Sequence, residues 1–114
     1  MSKKPTNARK EFEKALADAD NARYVLRLYV AGATPKSTQA IANLKALCEK
    51  YLEGRYDLEV IDVYQQPDRA QNEQIVAVPT LIKELPPPLR KLVGDMSNEE
   101  RVLVGLYLRQ KDEG

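Results

Sequence analysis

No histidine and no tryptophan occur anywhere in the chain, and there is a single cysteine, Cys48. Without histidine the commonest general base, the commonest metal ligand and every Ser-His or Cys-His dyad are gone. One cysteine permits no internal disulfide, no Cys-x-x-Cys redox pair and no thiolate zinc cluster. Neither sign of charge is in excess: the formal net charge is +1, whereas general nucleic-acid and membrane-surface binders carry a strong basic surplus. Long apolar runs are missing too. The longest, around Val102 to Leu108, contains Gly105 and is far too short to span a bilayer. The N-terminus reads Met-Ser-Lys-Lys-Pro and then turns charged, so no secretory signal is expected and the location expected is cytoplasmic. Together these absences argue against an enzyme, a cofactor or a metal site.

What is present suits one domain of 114 residues with a single modest core. Residues 1–22 read as an N-terminal extension. Its first six residues are polar and expected to be disordered, and Phe12, Ala15, Leu16 and Ala19 lie at helical spacing within Asn7–Asp20. The domain proper is expected over 23–110, with a short tail at 111–114. Tyr24–Val30 is rich in β-branched and aromatic residues and reads as a central strand, apolar on both faces except Arg27.

Thr34-Pro35 then starts a helix, the hydroxyl capping and the proline suiting the first turn. Its apolar face is Ala40, Ile41, Leu44, Leu47, Cys48, Tyr51 and Leu52, and Gly54 ends it. Tyr56–Tyr64 is the second strand, with Leu58, Val60, Ile61 and Val63 expected to supply both faces of a βαβ unit. A thinner helix is expected from Pro67 to Ala77, a third strand from Val78 to Leu85, and a hairpin through Pro86-Pro87-Pro88 into a fourth strand at Leu89–Val93. Ser97 and Glu100 fit a capping box for a last helix with Val102, Leu103, Leu106 and Tyr107 on its buried face. The order βαβαββα is that of a thioredoxin-like α/β fold. Residues 101–108 are ambivalent, since they have helical spacing but many strand formers. Gly105 also costs a helix about 1 kcal/mol relative to alanine.

Candidate chemistry is thin. Redox work needs a low-pKa cysteine at the start of the first helix, where Ala31-Gly32-Ala33-Thr34-Pro35 stands, while Cys48 reads as a packing residue. Pro79 stands just before the third strand, where thioredoxin-like folds usually place a cis peptide. It reads as a structural turn, and only Val78-Pro79-Thr80-Leu81 is similar to glutathione transferases. Asp57, Glu59 and Asp62 read as a solvated face rather than a metal or acid–base site. Lys83, Arg90 and Lys91 could form a small basic patch on the hairpin, read first as solvated surface and next as a contact for an acidic protein partner.

The runs Val25-Leu-Arg-Leu-Tyr-Val-Ala-Gly-Ala-Thr-Pro-Lys-Ser37, Val60-Ile-Asp-Val63, Val78-Pro-Thr-Leu81 and Leu85-Pro-Pro-Pro-Leu-Arg-Lys-Leu-Val-Gly-Asp-Met-Ser-Asn98 together resemble the KaiB family of bacterial clock proteins. The likeness runs in order from about Tyr24 to Leu108. It implies a non-enzymatic regulator that binds a KaiC-type ATPase, with a KaiA-like regulator or a histidine kinase as further partners, and a homo-oligomer, dimer or tetramer. It also implies two folds: the thioredoxin-like one, and a resting topology βαββααβ in which the ambivalent segment becomes strand.

On this resemblance the expected partner-binding set is Gln39, Asp57, Glu59, Gln74, Lys83, Arg90 and Lys91, and Gly105 and Tyr107 are expected to set the fold balance. Gln39, Glu59 and Gln74 stand where clock-type members carry basic residues, and Tyr107 stands in place of an aspartate. The alternative readings are a glutathione- or small-molecule-binding protein built on the Pro79 turn, and a stand-alone sensor module that binds a histidine kinase.

Overall fold

The computed structural model describes residues 9–14 and 22–108. Strand β1 (Tyr24–Val30) is followed by helix α1 (Pro35–Tyr51), strand β2 (Tyr56–Asp62), helix α2 (Pro67–Asn72), the hairpin β3 (Thr80–Leu85) and β4 (Arg90–Val93), and helix α3 (Glu99–Leu106). The order is thus βαβαββα, the thioredoxin-like arrangement. Residues 101–106 are helical here, as the βαβαββα reading requires and the βαββααβ topology does not. The sheet order is β2-β1-β3-β4, with β1 parallel to β2 and antiparallel to β3.

Side-chain alternation along the central strand sorts the molecule into two layers. Tyr24, Leu26, Leu28 and Val30 point to the face covered by α1 and α3, where they join Leu44, Leu47, Cys48, Leu81, Val102, Leu103 and Leu106 in the main core. Tyr29, Ile61 and Ile82 point the other way and pack with Val63, Ala70, Ile75 and Val78 beneath α2. The Tyr24 hydroxyl is buried and donates to the Leu106 carbonyl at 2.6 Å, tying the last turn of α3 to the first residue of the sheet.

Several boundaries differ from the sequence reading, each for a local reason. Helix α2 stops at Asn72 instead of running to Ala77, because Gln74 takes a left-handed φ of 57°. β3 begins at Thr80, after the cis Val78–Pro79 bond, and the Pro86-Pro87-Pro88 turn holds two more cis bonds, Leu85–Pro86 and Pro87–Pro88. The cap of α3 is Asn98, whose side chain accepts from the Arg101 N–H, while the Ser97 N–H is taken by Asp95. β2 is an edge strand, and of its apolar residues only Ile61 is fully buried while Val60 is exposed. Tyr107 falls just past α3 as a left-handed cap and is half-buried. The expected N-terminal helix is helical over 9–14, and its remaining residues lie outside those described, as do 1–6 and the tail at 111–114.

Candidate functional site

The place where a thioredoxin-like fold carries its chemistry is the β1–α1 turn facing Pro79. Here that turn is closed by hydrogen bonds rather than armed. Thr34 caps α1 by accepting from the Ser37 N–H, and Ser37 Oγ accepts from the Ala31 N–H at 3.0 Å. Asp62 accepts from the N–H groups of Gly32 and Tyr64, at 3.1 and 2.9 Å, so its carboxylate is spent on the turn. Beside it lies a shallow pocket of about 210 Å³ lined by Val63, Ala70, Ile75, Val76, Ala77 and Val78. Among the described residues no titratable group lines this pocket. Tyr64 and Val76, 73% and 96% exposed, stand out at this end of the molecule. The sequence places both inside expected elements, Tyr64 at the end of the second strand and Val76 on the second helix; both elements stop short, at Asp62 and Asn72, and leave the two side chains exposed.

Cys48 lies in the main core beneath α1, and burial pushes its thiol up to about 12. A thiol so held is no nucleophile. Ellman's reagent is therefore expected to label the native protein at least about a hundredfold more slowly than the unfolded chain. Stoichiometric labelling of the native state within minutes would contradict the burial.

The expected partner-binding residues do not form one patch. Alternation along the strands divides them between the two faces. Asp57 and Glu59 lie on the α2 face, each neutralised. Arg23 grips Asp57 with two nitrogens at 2.8 and 3.0 Å, and its hydrogen bonds hold that carboxyl below its usual range. Glu59 takes two bonds from Arg69 of α2 and one from Arg27 of β1, and the Arg69 hydrogen bonds lower its pKa likewise. Arg27 continues to Glu84 on β3 at 2.8 Å, so a ladder of alternating charge crosses β2, β1 and β3. Lys91 is also on this side, its Nζ on the Glu73 carbonyl at 2.7 Å. Gln74 is exposed at the end of α2, and Gln39 is exposed on α1, bonded to Asn43.

Arg90 and Lys83 point the opposite way, toward α3. They are register partners across the hairpin. Arg90 donates to the Tyr107 hydroxyl at 3.2 Å. Lys83 is not the surface cation expected from the sequence: it is 1% exposed, its Nζ donates to the Pro86 carbonyl at 2.7 Å, and it sits 4.7 Å from the centre of the Tyr107 ring. Burial, and then the charge of Arg90, bring its pKa down to about 8. The correction has a simple cause. Lys83 sits on the inner face of a strand with α3 across it, and its long stem is buried along that face.

Gly105 is buried on α3 where the helix meets β4. A Cβ there would lie 2.6 Å from Leu92 Cδ1. Next to this contact runs an open groove of about 450 Å³ between β4 and α3, lined by Arg90, Leu92, Asn98, Glu100, Arg101, Val104 and Gly105. Arg101 reaches across it to the Val93 carbonyl at 3.0 Å. Among the described residues no cluster of carboxylate, cysteine or histidine side chains is suited to a metal ion, and no helix is long and apolar enough to cross a membrane.

The fold and its turn define a class: a thioredoxin-like α/β module that carries no reactive thiol in the position where that class keeps one. Solved structures agree on the fold. Mitochondrial thioredoxin 3 of Saccharomyces cerevisiae superposes with a TM-score of 0.61 at 19% identity, covering 86% of this chain and 87% of that one. The N-terminal domain of Synechococcus elongatus SasA gives 0.62 at 23%, covering 82% and 89%.

The family model described as KaiB domain matches residues 27–108. Circadian clock protein KaiB3 of Synechocystis sp. is 54% identical over 87 residues, 76% of this chain and 85% of that protein. Circadian clock oscillator protein KaiB of Nostoc punctiforme is 55% identical over 85 residues, 75% and 82%. The chain belongs to the KaiB family, and these relatives are circadian clock proteins.

Proposed function

We propose that this protein is a non-enzymatic, cytoplasmic regulator that binds a KaiC-type ATPase and modulates its cycle, in circadian timing or stress-related signalling. The observation that carries the reading is the β1–α1 turn. A thioredoxin-like frame at about half identity to clock proteins has a capped turn where thioredoxins keep a reactive thiol, and its one cysteine lies in the core. What such a molecule offers a partner is surface. A KaiA-like regulator, a histidine kinase and a second copy of the chain, as dimer or tetramer, are further partners on the same reasoning. The glutathione reading loses support, since the pocket beside Pro79 is lined by aliphatic side chains with no cation for a carboxylate.

Because Arg90 and Lys91 face opposite sides of β4, single charge reversals separate the two faces. Arg90→Glu is expected to weaken ATPase binding about tenfold, with stability changed by less than about 1 kcal/mol. Lys91→Glu tests the α2 face in the same way. Calorimetry with a purified KaiC-type ATPase, ATP and magnesium reads both. If neither substitution changes affinity, β4 is not part of the contact. If the unmodified chain binds no such ATPase, and a pull-down from its native lysate recovers none, the regulator reading fails.

A further inference from the structure

The helical segment 9–14 lies outside the family-matched span, yet one of its side chains lands on the domain. The Phe12 ring sits 5.2 Å from that of Tyr107, tilted by 50°, a separation and tilt that aromatic pairs favour. Tyr107 carries two cations as well: Lys83 at 4.7 Å and Arg90 at 5.6 Å from its ring centre. Arg90 opens onto the β4–α3 groove together with Arg101, and neither arginine has a carboxylate partner within 4.0 Å among the described residues. The groove's apolar lining is Leu92, Val104 and Gly105. Asn98 and Glu100 line the groove as well, but with no carboxylate paired to either guanidinium the two arginines and the apolar residues suit carboxylates flanking an aromatic or aliphatic side chain. The chain itself holds such a run, Glu11-Phe12-Glu13, with Glu13 paired to Arg9 at 3.3 Å.

We propose that residues 9–14 are a built-in competitor for the Arg90–Tyr107 end of the β4–α3 groove, displaced when an acidic partner segment carrying an aromatic side chain docks there. This rests on the reading of the chain as a binding module and adds its regulation. Phe12 stays 41% exposed, so the strap is weakly held and opens readily. A closed fraction covers the Tyr107 ring beside the Arg90 end of the groove and lowers apparent affinity by that fraction.

The test uses the full chain and its Phe12→Ala variant. Hydrogen exchange should quicken over residues 9–14 and 104–108 in the variant. Its affinity for a purified KaiC-type ATPase should rise about three- to tenfold. Adding Arg101→Glu to that background should abolish the gain. Unchanged exchange would mean that the ring contact does not form in solution, and the proposal falls. Quickened exchange with unchanged or weaker binding would also overturn it, while leaving the regulator reading intact. If neither form binds the ATPase, that reading fails separately. Titration with a synthetic Asp-Glu-Phe-Glu-Asp peptide then decides, since only tighter binding to Phe12→Ala than to the unmodified chain supports a competitor.

Discussion

Lys83→Met is expected to stabilise the domain by about 2 kcal/mol at neutral pH. Two cations, Lys83 and Arg90, flank one tyrosine ring, and among the described residues no carboxylate contacts either. The Lys83 ammonium is held by one carbonyl and the π face of Tyr107, which only partly replace the water it has lost. Its pKa accordingly falls from 10.5 in the unfolded chain to about 8 in the fold.

Between those values the unfolded state binds more protons than the folded one, so stability rises with pH. The penalty is fully present below about 8, shrinks through that window, and is gone above the unfolded value. Cys48 opposes this. Its thiol keeps its proton up to about 12 in the fold but loses it near 9.0 when unfolded, so its contribution declines as pH climbs past 9. Tyr56, hydrogen-bonded to Glu49 and raised to about 12, acts in the same direction at higher pH. The net expectation is a gain of about 1 kcal/mol between about pH 7 and 9, several degrees in Tm, followed by a plateau or a fall. Thermal melts across this range check it, and the rise should be absent from Lys83→Met. A methionine variant that melts lower than the parent at neutral pH would show that the cation–ring contact outweighs its desolvation.

The second large effect is expected at Gly105, where alanine and valine should part company. A Cβ there would lie 2.6 and 2.8 Å from the two methyl carbons of Leu92 and 3.0 Å from its Cγ. Leu92 lines the open groove, so its side chain can turn aside for a single methyl. Alanine then recovers most of the helix propensity that glycine forfeits, about 1 kcal/mol, and Gly105→Ala should be neutral or mildly stabilising. Valine has no such escape. Its branch fills the space into which Leu92 would turn, and β-branching disfavours the helix, so a loss of about 2–3 kcal/mol is expected. Adding Leu92→Ala should recover at least about 1 kcal/mol of that loss, which denaturant melts of the double-mutant cycle measure. Strict additivity would place the strain elsewhere. Gly105 is also one of the two residues that the resemblance led us to expect in the fold balance, so the valine variant is the one to examine for an altered topology.

How much of this was legible beforehand follows from which forces are local. The first helix was readable to the residue at its start, because Thr34 and Pro35 act on N–H groups a few positions away. Its core face was readable because helical periodicity is built into the chain. Composition alone gives the single cysteine and the lack of histidine, and with them the expectation that no Cys-x-x-Cys pair or Cys-His dyad exists. The family was legible too, from runs that hold their order through most of the chain. The cap of α3 was misplaced by one residue, since Ser97 and Asn98 are both good caps and only the local geometry chose between them.

The site itself was another matter. Arg90 and Lys91 are neighbours in sequence and were read as one basic patch with Lys83, yet the pleat sends them to opposite faces. Lys83 looks like any surface lysine until α3 is laid across its strand. Glu59 acquires its role from Arg69, ten residues away, and from Arg27, thirty-two residues away. The approach of Phe12 to Tyr107 spans nearly the whole chain, and no local pattern announces it. By itself, then, the sequence determined the elements, their order, the family and the position of the single cysteine away from the start of the first helix, all of which rest on residue type and short-range spacing. The tertiary structure alone decided which charges are buried, which are paired and which remain free for a partner. Burial and pairing depend on what the fold brings opposite each side chain, and that is a property of packed faces rather than of neighbours along the chain.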